Sequence, residues 1–246
     1  MVFYRPRRSK YRTEELEKLS SAERHILKYK NFDVKVATWG EGSPILFMHG
    51  WEGRGLSFMH FIGSLVQAGY KVILMDAPGH GLSTGKDVDL TDFIGTIDAV
   101  FHKMGPIYGI VAHSFGGLAT LLALKNGHSI KRVVILSSPS SPKTVLQGFG
   151  NIFNLSEDIL ERIKSNIEKR TGQPITAFFP DQFSASLTAP TLIIHDKEDQ
   201  VIAYQEAVKL DQILPSAQLE STSGLGHQRI LRNQQVITQI SSFLKN

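Results

Sequence analysis

The chain has 246 residues, 41% of them hydrophobic, with 27 lysines and arginines against 23 aspartates and glutamates. That is enough apolar material for one sizeable core, and a net charge of +4 spread along the sequence argues against nucleic acid as a partner. The absence of cysteine excludes a disulfide framework and a thiolate nucleophile.

The one concentration of charge is a basic arm over residues 1–12, where Arg5, Arg7, Arg8, Lys10 and Arg12 fall close together. No aromatic or glycine pattern accompanies them, so a solvated tail is expected. The arm lacks the apolar core of a signal peptide, and no later run is long enough to span a bilayer. The expectation is a soluble, cytoplasmic protein without membrane contact.

Next, Thr13 followed by Glu14 and Glu15, with Leu16 and Leu19 behind, predicts a short helix with acids in its first turn. His25 to Tyr29 and Phe32 to Trp39 alternate apolar and polar residues across Lys30 and Asn31, the pattern of an antiparallel hairpin. From Pro44 to His49 the residues are apolar without alternation, as in a strand buried on both faces of a parallel sheet. That strand runs into His49-Gly50-Trp51, and the loop is rich in glycine (Gly50, Gly53, Gly55), so its backbone can approach a ligand closely. A helix is expected from Ser57 to Gln67, a second buried strand from Tyr70 to Met75, and then a turn dense in breakers, Asp76-Ala-Pro-Gly-His-Gly-Leu-Ser83. The spacing of Phe93, Ile97, Val100 and Phe101 predicts a helix over Leu90 to Met104.

The chain is organised around Ile107 to Leu124. An apolar run ends at His113 and Ser114, passes Gly116 and Gly117, and resumes as small and apolar residues of a buried helix. A serine is thereby set on a sharp turn between strand and helix, with its hydroxyl above the sheet edge and the helix amides aimed at the same spot. The bland reading of that serine is an N-cap opening a packed helix.

Further strands are expected at Lys131 to Ser137 and Pro190 to His195, helices at Gln205 to Ile213 and Asn233 to Leu244, and a short strand near Gln218 and Leu219. From about 143 to 186 the rhythm is interrupted. There Ser156 looks like an N-cap, and Ile159, Ile163 and Ile167 form a stripe. Phe149, Phe153, Phe178 and Phe179 supply either an apolar lid over a substrate or packing against the core. Strands alternating with helices predict a single α/β domain with a doubly wound, mostly parallel sheet.

A serine hydroxyl needs a base to take its proton and a third group to orient that base. Two downstream places fit. The strand ending at His195 is followed by Asp196-Lys-Glu-Asp199, and Ser223-Gly-Leu-Gly-His227 sits before the last helix. His49, His80 and His113 fall in motif turns, where holding a loop by hydrogen bonds is the expected role, and Asp76 is expected to tie down its own turn. No His/Asp/Glu cluster has ligand spacing, so no metal is predicted.

From about Asn31 to Leu244 the chain resembles the α/β-hydrolase fold superfamily. The resemblance is carried by His49-Gly50-Trp51 after a strand, the Asp76 to Ser83 turn, the Ala112-His113-Ser114-Phe115-Gly116 elbow, and the paired Asp199 and His227 loops. Alanine stands where the usual G-x-S-x-G motif has its first glycine. The resemblance implies Ser114 as nucleophile, His227 as general base, Asp199 rather than Asp196 as the orienting carboxylate, and an oxyanion hole from the backbone amides of Trp51 and Phe115. It also implies a short helical cap at about 143–186, and a substrate pocket formed with His49, Gly50, Trp51, Phe149 and Phe153. The expected activity is cofactor-free hydrolysis of a small carboxylic ester. A thioesterase, a lactonase, a carbon-carbon bond hydrolase and a perhydrolase share the same triad, and a non-catalytic small-ligand binder of the same fold is the rival from another class.

Overall fold

The structure, a computed structural model, describes residues 4–8 and 10–245. Among them eight strands form one sheet: β1 (Glu23–Tyr29), β2 (Phe32–Trp39), β3 (Ser43–Met48), β4 (Tyr70–Met75), β5 (Gly109–His113), β6 (Arg132–Leu136), β7 (Thr191–Asp196) and β8 (Ala217–Thr222). Their spatial order is β1-β2-β4-β3-β5-β6-β7-β8. β1 and β2 are the antiparallel hairpin, β2 runs antiparallel to β4, and every pairing from β4 to β8 is parallel. The helices are α1 (Thr13–Ser20), α2 (Met59–Gln67), α3 (Leu90–Met104), α4 (Phe115–Leu124), α5 (Pro142–Phe153), α6 (Glu157–Thr171), α7 (Gln205–Ile213), α8 (Gly226–Arg229) and α9 (Gln234–Lys245).

The central strands divide their side chains by parity. In β3, Leu46 and Met48 join one core with Phe93 and Ile97 of α3, Leu118 and Leu121 of α4, and Leu210 of α7. Ile45 and Phe47 join the opposite core with Phe61 and Leu65 of α2 and Val236 and Ile240 of α9. Burial of both faces is why this strand reads as an unbroken apolar run. Burying each such side chain contributes about 1.5–3 kcal/mol of transfer free energy, so neither parity tolerates a polar residue. Because the strands from β3 to β8 are parallel, their C-terminal ends and the loops that follow lie along one rim.

Between β6 and β7 lie α5, α6 and three short 3-10 turns, Ile175–Phe178, Pro180–Gln182 and Ser184–Ser186. α5 opens at Ser141-Pro142, where the serine hydroxyl accepts the Thr144 N–H at 3.3 Å. On α6 the expected isoleucine stripe is corrected. Ile159 is 42% exposed, and Leu160, with Ile163 and Ile167, faces Leu146 and Phe149 of α5. Positions four apart drift by about 40° around a helix of 3.6 residues per turn, and here the buried side is centred between Leu160 and Ile167.

The basic arm is not a solvated tail over its described residues, while residues 1–3 and Ser9 lie outside them. Tyr4 and Pro6 are buried, and the Tyr4 carbonyl accepts the Val88 N–H at 2.8 Å. Arg5 pairs with Asp87, and Arg7 with Glu52. Arg8 donates to the carbonyls of Gly79 and Gly85 at 2.9 and 2.8 Å, and the Tyr11 hydroxyl to Asp76 at 2.7 Å. The physical reason lies in the turn that the arm covers. A loop rich in glycine and proline leaves carbonyls that no helix or strand satisfies, and guanidinium groups supply the donors. Behind the arm, Glu15 of α1 is 1% exposed and ion-paired with Arg54, which fixes α1 to the loop after β3.

Candidate active site

Ser114 sits between β5 and α4 with φ 55° and ψ −129°, a conformation that costs a non-glycine residue on the order of 1–3 kcal/mol. Neighbouring packing holds it there. Its N–H donates to the Leu136 carbonyl of β6 at 2.8 Å, and its carbonyl accepts the Gly117 N–H at 2.8 Å. A side chain at Gly116 would collide with the His49 carbonyl, and one at Gly50 would come within 2.8 Å of the Ser114 Cβ. The two loops can therefore meet only with glycine at those positions. Phe115 is the first residue of α4, so its N–H has no partner within the helix.

His227 is carried on the short α8 after two glycines with positive φ, Gly224 and Gly226. Its Nδ1 lies 2.7 Å from Asp199 Oδ2, and its Nε2 lies 3.0 Å from Ser114 Oγ. Asp199 also accepts the N–H groups of Val201 and Ile202 on Oδ1, at 2.8 and 3.0 Å. Burial pushes its pKa up, but hydrogen bonds with His195 and His227 outweigh burial and hold the carboxyl well below the ordinary carboxylate range. An ionised carboxylate only accepts. The Nδ1–H of His227 therefore donates to Asp199, and Nε2 is left to accept the Ser114 hydroxyl.

The surrounding polar groups hold this arrangement. His113 donates from Nε2 to the His227 carbonyl at 2.8 Å, and burial followed by the neighbouring His227 lowers its pKa to about 3. His195 contacts the Ile202 carbonyl at 2.9 Å, with Asp199 at 3.5 Å. Asp196, the carboxylate that closes β7, accepts from Glu198 N–H, the Thr222 hydroxyl and Leu225 N–H at 3.0, 2.7 and 2.9 Å. It staples the acid loop to the histidine loop and does not reach His227. Asp76 likewise accepts from Gly55 N–H and Leu82 N–H at 2.7 and 2.8 Å.

Above Ser114 is a cavity of about 340 Å³ whose lining includes Trp51, Phe115, Val145, Phe149, Phe178 and His227. Among the described residues no group of three or more His, Cys, Asp or Glu could hold a metal ion, and no helix is long and apolar enough to cross a membrane.

Residues 45–236, most of the chain, match the sequence model of the alpha/beta hydrolase family. The chain belongs to that family. The non-heme chloroperoxidase CPO-A1 of Kitasatospora aureofaciens is 25% identical, over 77% of this chain and 86% of that protein. A pimeloyl-[acyl-carrier protein] methyl ester esterase of Shewanella woodyi is 28% identical over 67% of this chain and 62% of its own length. Among solved structures, bromoperoxidase from Bacillus anthracis superposes with a TM-score of 0.72, covering 92% of this chain and 100% of that one at 18% identity.

Within this alpha/beta hydrolase, Ser114, Asp199 and His227 are brought together, and Trp51, Phe115 and Phe149 reach the cavity. His49, Gly50 and Phe153 do not line it. His49 is 1% exposed, accepting the Ala77 N–H on Nε2 and donating from Nδ1 to the Gly50 carbonyl. Gly50 is spent on the approach to Ser114. Phe153 is 49% exposed and packs against Phe149, because the last turn of α5 rotates it away from the core. Reading the sequence alone missed Val145 and the start of α5, although Ser141-Pro142 is a helix-start signal. It also missed Glu52 and Asp89, for which nothing local in the sequence signals a position on the cavity wall.

Proposed function

We propose that this protein is a serine hydrolase that cleaves a small carboxylic ester through an acyl-enzyme. The observation that carries the reading is the unbroken chain of hydrogen bonds from Asp199 through His227 to Ser114, at 2.7 and 3.0 Å, opening onto the cavity. In this reading the Ser114 hydroxyl gives its proton to His227 Nε2 while Oγ attacks the ester carbonyl. The oxygen that becomes negative is met by the N–H groups of Trp51 and Phe115, a contribution of about 10²–10³ in rate per donor in comparable sites. His227 then protonates the departing alcohol. Water, deprotonated by the same imidazole, releases the acid and restores Ser114. Asp199, held ionised, keeps the imidazole in the tautomer that accepts at Nε2.

A cavity of about 340 Å³ is at the small end for organic ligands, which supports an acyl group of modest length. Hydrolysis of p-nitrophenyl esters of rising chain length is expected to fall off beyond short acyl groups. Ser114→Ala is expected to fold normally by circular dichroism, lose turnover and lose labelling by a fluorophosphonate. A long-chain optimum would overturn the size assignment, and an active Ser114→Ala the nucleophile. Similarity to a non-heme chloroperoxidase supports a second reading, in which hydrogen peroxide replaces water at the acyl-enzyme and a peracid leaves. Adding peroxide to the ester assay and trapping the peracid distinguishes the two.

A further inference from the structure

The walls of the cavity carry an unequal set of charges. Among the described residues its lining contains no lysine or arginine, and its ionisable side chains are Glu52, Asp89 and His227. Both carboxylates are engaged from outside the lining, Glu52 by Arg7 at 3.1 Å and Asp89 by Arg170 at 2.9 Å. The threonine hydroxyls are committed as well. Thr91 donates to Asp89 at 2.5 Å, Thr144 to the buried Glu206 at 2.6 Å, and Thr171 to the Ile167 carbonyl at 2.9 Å. Gln228, a further polar side chain of the lining, is exposed to solvent. Apart from Ser114, the remaining side chains of the lining are apolar, among them Val88, Leu90, Val145, Phe149, Ile175 and Phe178.

We propose that this cavity admits uncharged acyl groups and rejects an acyl group whose terminal carboxylate falls within its walls. The proposal rests on the hydrolase reading above and narrows its substrate class. A carboxylate drawn into these walls would lose its water with no lysine, arginine or free threonine hydroxyl of the lining to replace it, the two nearby arginines being already paired with Glu52 and Asp89. A neutral ester or alkyl end needs no donor there, so only the charged end is penalised.

The test compares the dimethyl and monomethyl esters of adipic acid, which share a chain and differ at pH 7 by one charge. The diester is expected to have a kcat/KM at least 100-fold higher, equivalent to about 2.7 kcal/mol. Ile152 lines the cavity and is 73% exposed, so a cation can be placed there without being buried. Ile152→Arg, an exposed charge worth under about 1 kcal/mol, is expected to cut the preference for the diester about threefold to fivefold, and Ile152→Gln to leave that ratio within twofold.

A wild-type ratio under tenfold overturns the proposal. A ratio that Ile152→Arg does not move, or that Ile152→Gln lowers equally, also overturns it, by assigning the preference to shape. Fluorophosphonate labelling of Ser114 in the same preparations separates this failure from failure of the hydrolase reading. Labelled protein that turns over the monoester comparably, or neither ester, sinks the inference alone; unlabelled folded protein that turns over neither sinks both.

Discussion

Two aspartates three residues apart, one closing β7 and the other in the loop after it, have different tasks. Asp199 touches the His227 imidazole, whereas Asp196 spends its oxygens on two backbone N–H groups and the Thr222 hydroxyl. Asp199→Asn would present an amide to Nδ1 and favour the wrong tautomer, so kcat is expected to fall on the order of 10³–10⁴-fold with the fold retained. Asp196→Asn is expected to act first on stability. Leaving one of its buried partners unsatisfied costs about 1–3 kcal/mol, read as a fall of about 2–4 °C in melting temperature per kcal/mol in a chain of this size. Equal losses of kcat with unchanged melting in both variants would put the two carboxylates on the same footing. Besides Ser114, Glu52 holds a positive φ of 58°, in a turn closed by the Gly53 N–H on the Gly50 carbonyl at 3.0 Å.

At the level of elements, the arm crosses the loops that end at Trp51 and follow Asp76. Arg7 grips Glu52, the residue after Trp51, with its side chain and its own backbone N–H. That ion pair is exposed, and exposed pairs contribute little, so Arg7→Ala alone is expected to leave melting nearly unchanged. Deleting residues 1–8 also removes the buried Tyr4 and Pro6 and the Arg8 bonds to two glycine carbonyls. It is expected to lower the melting temperature by several degrees and to lower kcat, because the turn carrying Trp51 loses its clamp. Calorimetry showing no change on deletion would return the arm to a solvated tail. α5 and α6 form a smaller unit of their own, packed through Leu146, Leu160 and Ile163 and joined to the base by Thr144 on Glu206.

Across the whole molecule, several histidines are locked away from protons. Burial lowers His49 to about 4, His80 to about 3 and His113 to about 3. Each binds a proton near pH 6.5 once the chain unfolds. Below that pH the unfolded state therefore holds more protons, and stability falls as pH drops from about 6.5 toward 4, by up to about 1.4 kcal/mol per pH unit for each histidine. Asp76, raised by burial, acts with the opposite sign as a single group. Urea titrations at pH 7, 5.5 and 4.5 are expected to show a steadily falling midpoint; a constant one would mean these imidazoles reach solvent in the folded protein.

What the sequence determined by itself was the set of parts. Unbroken apolar runs such as Ile45 to Met48 announced strands with two buried faces, and breakers after them marked the loops along one rim. The small residues around Ser114 announced a turn where strand and helix come close. These signals are local, because periodicity and backbone freedom belong to short stretches of chain. Only the tertiary structure docked the arm, turned Phe153 outward and set Glu52 and Asp89 on the cavity wall. Each of those outcomes depends on partners far away in sequence, and the surfaces that select them exist only after the sheet has formed.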